Sequence, residues 1–105
     1  MRPYKPYIPQ TAGEVVELLG SMVLDAPKFE DESYFAGMSI ETEYFALDEG
    51  LKVIKAKLGE ERYTRLVKMA LVTKEKFLRA REGDAEELVA GRNILIEMIE
   101  MLQKR

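Results

Sequence analysis

The 105-residue chain contains no cysteine and no histidine. Without cysteine there can be no disulfide, zinc–thiolate site, iron–sulfur ligation or thiol nucleophile. Without histidine the chain loses the commonest general base, the commonest transition-metal ligand and the usual switch near neutral pH. A di-iron helical bundle needs paired Glu-x-x-His motifs, so that site is also excluded. Glycines occur singly and at helix ends, which leaves no phosphate-cradling loop. Ser21, Ser33 and Ser39 have no histidine to activate them and no lysine at a serine–lysine hydrolase spacing. No long apolar run is present. The first residues lack the apolar core of a secretory signal, and no stretch approaches the roughly 20 apolar residues of a membrane helix. These features lead us to expect a soluble, cytoplasmic protein with no cofactor and no metal.

What is present is helical periodicity. Thr11 and Glu14 are spaced as a capping box, with Glu14 expected to reach back to Thr11. Val15, Val16, Leu18, Leu19, Met22 and Val23 follow on one face, and Pro27 stops the segment. Ile40, Tyr44, Leu47, Leu51, Ile54 and Leu58 alternate spacings of four and three, the mark of a narrow packing seam. A third segment opens with Glu60 and Glu61 and closes with Arg79 and Arg81, in keeping with the helix dipole. Its expected core face is Tyr63, Leu66, Val67, Ala70, Phe77 and Leu78. Met69, Leu71 and Val72 off that face suggest a surrounded middle. Asp84 and Glu87 repeat the capping-box spacing before a fourth segment. There Leu88, Leu95, Ile99 and Leu102 form the seam, Arg92 interrupts it, and Gly91, Ile94, Met98 and Met101 flank it.

The expected architecture is therefore all-α: one domain over residues 1–105, a four-helix up-down bundle with helices at about 12–25, 40–58, 60–82 and 85–103. Pro3, Pro6 and Pro9 recur with the period of polyproline II and give an extended proline-rich N-terminal arm over residues 1–10. The connection after Pro27 is the longest irregular stretch, and Phe29, Tyr34 and Phe35 are expected to pin it to the helices.

Charge is distributed unevenly on a chain of net charge −3. Residues Asp25–Glu49 hold eight acidic side chains against Lys28 alone, whereas Arg62–Arg81 hold seven basic ones against Glu75 alone. The basic residues spread around their helix rather than forming one stripe, and the total is acidic; both argue against nucleic acid. Carboxylate pairs such as Glu14/Glu17 and Glu97/Glu100 are ordinary helix-surface residues, and a tyrosine such as Tyr63 in a seam is ordinarily core. No catalytic residue is assigned, and the chain reads as a non-enzymatic protein-binding module.

The start Arg2-Pro3-Tyr4, the helix Ala12-Gly13-Glu14-Val15-Val16-Glu17-Leu18-Leu19 and the stretch Gly91-Arg92-Asn93-Ile94-Leu95-Ile96-Glu97-Met98, with the whole-chain character, resemble the small all-α immunity proteins of bacterial polymorphic toxin systems. That resemblance implies stoichiometric inhibition of a toxin domain, often a basic nuclease, by an acidic surface. The expected partner-binding residues are Glu30, Asp31, Glu32, Tyr34, Phe35, Glu41, Glu43 and Asp48, within the segment from Phe29 to Glu49. The alternative is a self-associating scaffold protein, whose homodimer face would combine Ile94, Met98 and Met101 with Met69, Leu71 and Val72.

Overall fold

The computed structural model describes residues 5–29 and 38–104. Among these there are five helices and no strand: α1 (Ala12–Asp25), α2 (Ile40–Val53), the short α3 (Lys55–Leu58), α4 (Glu60–Arg81) and α5 (Ala85–Gln103). Helix α5 lies against both α4 and α1, and α2 closes the arrangement by packing on α4 and α1.

Caps fix most of the starts. Thr11 accepts from the Glu14 backbone N–H at 3.1 Å. The Glu14 carboxylate does not complete the expected box. It turns outward and accepts from the Gln10 backbone N–H at 2.8 Å and from the Tyr7 hydroxyl at 3.0 Å. The reciprocal box is at α2, where Ser39 and Thr42 each accept from the other's backbone N–H. Asp84 caps α5 through the Glu87 N–H, while the Glu87 side chain pairs with Lys76 at 3.3 Å instead of reaching back.

The expected single helix over 40–58 is broken at Ile54, where φ is −97° and ψ is 7°. Two consecutive β-branched residues, Val53 and Ile54, are poor helix-interior neighbours. The bend keeps Ile54 and Leu58 buried, so the seam from Ile40 to Leu58 stays inside throughout. Gly59 then turns the chain into α4 with φ of 83°, a conformation that favours glycine.

The core centres on three rings. Phe29 is wholly buried and meets Tyr44 and Phe77 edge-on, with centroids 5.9 and 5.4 Å away. Phe29 therefore pins the start of the connection to the helices, as expected, and does so as part of the core. Phe77 in turn rests on the backbone of α5: a Cβ at Gly91 would lie 2.6 Å from its ring. This close approach explains why the stripe of Gly91 and Met98, expected to flank the seam, is the buried centre of α5 together with Leu95. Ile94 and Met101 pack on the same core, as does Met69 of α4, so most of the expected homodimer face is internal. The α4 face also differs from expectation. Thr73 takes a fully buried place, while Leu71, Val72 and Leu78 are exposed, so the middle of α4 is not surrounded. The Thr73 hydroxyl donates to the Ala70 carbonyl at 2.8 Å, which leaves its oxygen to accept from the Tyr44 hydroxyl at 2.7 Å.

Arg92 has a specific use. Its Nε donates to the Val23 carbonyl at 3.1 Å and its Nη2 to the Ala26 carbonyl at 3.0 Å. These carbonyls lie at the C-terminal end of α1, whose last turn carries no basic residue. Such carbonyls lack intrahelical partners, and the end of the dipole favours a cation. One guanidinium from α5 thus closes α1 and ties the two helices together. Arg92→Leu should lower stability by about 1.5–3 kcal/mol, the range for a hydrogen bond to a charged group. Arg92→Lys should lower it less. Urea denaturation of both variants checks this, and a change under ~0.5 kcal/mol for leucine would contradict it.

Candidate functional site: an acidic cleft beside the N-terminal arm

Residues 5–10 run without helix or strand along the protein surface. Pro9 is buried against α2 at Gly50, where a Cβ would come within 3.0 Å of the proline ring. Tyr7 is exposed, and its hydroxyl donates to Glu14 at 3.0 Å to either carboxylate oxygen. Loss of that donated proton would leave a phenolate facing a carboxylate. The hydrogen bond to Glu14 foremost, then partial burial and the Glu14 charge, push the Tyr7 phenol above its ordinary range.

Between this arm, α1 and the start of α2 is an open cleft of about 370 Å³. Pro6, Pro9, Leu18 and Met38 give it apolar walls, and Tyr7 and Ser21 add hydroxyls. Glu14, Glu17, Asp25 and Glu43 supply carboxylates, and among the described residues no basic side chain lines the cleft. Glu14 and Glu17 share one face of α1 by their spacing of three. Glu43 is only 5% exposed and reaches the cleft from α2. The carboxylates do not converge as ligands: among the described residues no group of three or more acidic, histidine or cysteine side chains is placed to hold a metal ion. The cleft is instead an acidic depression with apolar walls, suited chemically to a cationic side chain on an apolar stem.

The expected partner-binding residues divide. Glu30, Asp31, Glu32, Tyr34 and Phe35 lie outside the described residues. Glu43 faces the cleft, whereas Glu41 and Asp48 are exposed on another flank of α2. Helical angles explain the split. At 100° per residue, Glu41 and Asp48 are two turns apart on one stripe, and Glu43 falls about 140–160° away. Burial pushes the Asp48 carboxyl above its ordinary range, against the opposing pull of Lys74 and Lys52. Glu14, Glu17 and Asp25 were not among the expected site residues. The Glu14/Glu17 spacing was visible, but nothing local in the sequence says that the arm folds back over them.

No helix among the described residues is long and apolar enough to cross a membrane. Comparison of the chain with protein-family models, curated proteins and solved structures finds no match.

Proposed function

We propose that this chain is a protein-binding module, working in the cytoplasm, whose acidic cleft receives basic side chains of a partner protein. The observation that carries the reading is the cleft lining: apolar walls, carboxylates of which Glu17 is exposed, and no basic side chain among the described residues. A basic toxin domain, held in the manner of an immunity protein, is the partner that this chemistry fits best, because carboxylates can stand in for phosphates in a positively charged cleft. We read the helices as a four-helix up-down bundle with the N-terminal arm as its strap, and catalysis has no part in the proposed role. The acids Glu30, Asp31 and Glu32, with Tyr34 and Phe35 as aromatic anchors, belong to the same proposed surface. The described chain resumes after them at Met38, a cleft-lining residue.

The test is capture of the partner from the native host, followed by surface plasmon resonance on variants. Glu17 is exposed at the cleft. Glu17→Lys should slow association by about tenfold at low salt and flatten the salt dependence. Serine at Glu30, Asp31 and Glu32 together should act in the same direction. Tyr34→Ala or Phe35→Ala should speed dissociation instead, since anchors hold a complex once formed. Arg65→Ser on α4 should leave both rates unchanged. If the acidic variants bind normally and Arg65→Ser does not, the contact surface is the basic α4 helix and the cleft reading is wrong.

A further inference from the structure

The arm meets α1 through one carboxylate. Glu14 accepts from the Gln10 backbone N–H at 2.8 Å, and from the Tyr7 hydroxyl at 3.0 Å to each of its two oxygens. The two contacts differ in what backs them. Gln10 directly follows Pro9, which is buried against Gly50 of α2, and the Gln10 side chain donates to the Ile8 carbonyl at 2.8 Å. Tyr7 is 67% exposed, so little apolar burial opposes its departure. Its hydroxyl has a single proton to donate, and that proton is shared between two acceptors. Each of the two bonds is then weaker than one well-aligned bond.

Tyr7 and Glu14 both line the acidic cleft. The phenol therefore sits, as a neutral donor, on a carboxylate that a cationic donor entering the cleft would use. Glu17 lies exposed on the same face of α1, so a cation drawn into the cleft meets both carboxylates. An ammonium brings its own charge to the bond with Glu14. A guanidinium also offers each carboxylate oxygen a separate N–H, where the phenol has one proton for two. The displaced phenol passes to water, its ring being largely in solvent already.

We infer that the Tyr7–Glu14 contact is an autoinhibitory latch: the phenol occupies Glu14 until a lysine or arginine side chain of the partner displaces it, and the arm before Pro9 then swings away from α1. This rests on the function proposed above, in which the cleft receives basic side chains. It adds a regulation of that site. The free protein is mostly latched, and its affinity for a cation is lowered by the fraction that is closed. Pro9 and Gln10 stay in place on α2 and Glu14, so the arm opens without leaving the protein.

Tyr7→Phe removes the donated proton and keeps the ring, at an exposed position where folding is not at stake. Backbone nitrogen relaxation of the full chain without ligand reads the latch itself. Order parameters at residues 5 and 7 should fall from above ~0.8 in the wild type to below ~0.6 in the variant, with Gln10 unchanged. Titration of the same two proteins with tri-lysine and tri-arginine peptides at low salt, followed at the Glu17 and Ser21 amides, reads the effect on binding. The phenylalanine variant should bind each peptide about three- to tenfold more tightly. Order parameters that do not change, or binding by the variant that is equal or weaker, overturn the latch and leave the cleft reading standing. Peptides that bind neither protein overturn the cleft reading, and the latch with it.

Discussion

Phe29→Ala should destabilise the protein by about 3–5 kcal/mol, the range for removing a buried aromatic ring. The ring is wholly buried and bridges Tyr44 on α2 and Phe77 on α4. Phe77 is seated on the α5 backbone at Gly91, so a cavity at Phe29 loosens contacts among three helices. Domains of this size have about 5–15 kcal/mol in total, so the loss is a large share of the whole. Phe29 also has φ of 57°, in the left-handed region that a phenylalanine rarely adopts. That conformation costs roughly 1–2 kcal/mol for a residue with a Cβ and nothing for glycine. Phe29→Gly should therefore be at least as stable as Phe29→Ala, the reverse of the usual order at a helical position. Urea denaturation of the pair measures both terms. An alanine variant losing under ~1 kcal/mol, or a glycine variant clearly below it, would contradict this placement.

Leu51→Ala and Leu95→Ala should each cost about 2–5 kcal/mol. Both side chains are fully buried, one on α2 and one on α5. The backbones of the two helices do not adjoin, and each packs on α1 and α4 within the one core. Separate cavities relax independently, so the double variant should lose the sum of the single losses to within about 0.5 kcal/mol. A smaller combined loss would mean that the two leucines share one collapsible space. Loss under ~1 kcal/mol at either site would remove that residue from the centre of its seam.

The sequence made helix existence legible wherever a seam repeated over several turns, and the caps at Thr11, Ser39 and Asp84 mark the starts of α1, α2 and α5. It was less informative about rotation. Met98 and Gly91 look peripheral on a helical projection of α5 alone, and become central only because Phe77 descends onto that side. Arg92 could be seen interrupting a seam, but its acceptors on Val23 and Ala26 are more than sixty residues away and leave no local pattern. The acidic segment shows both outcomes. Glu43 directly precedes Tyr44 and lies four residues before Leu47, so its inward placement could have been read from spacing alone. The meeting of Glu43 with Glu14, Glu17 and Asp25 could not, because it depends on how the arm, α1 and α2 come together in the fold. Phe29 was legible as an anchor packed against the helices. Its left-handed backbone carries no sequence signature when the residue is neither glycine nor asparagine.

The central claim is that the acidic cleft, rather than the basic α4 surface, receives the partner. Titrating the isotope-labelled chain with the captured partner and following backbone amide resonances tests it directly. Shifts concentrated at Tyr7, Glu17, Ser21, Met38 and Glu43, with Arg65, Lys68 and Arg79 on α4 unmoved, are the predicted result. Shifts confined to α4 with the cleft residues unmoved would contradict it.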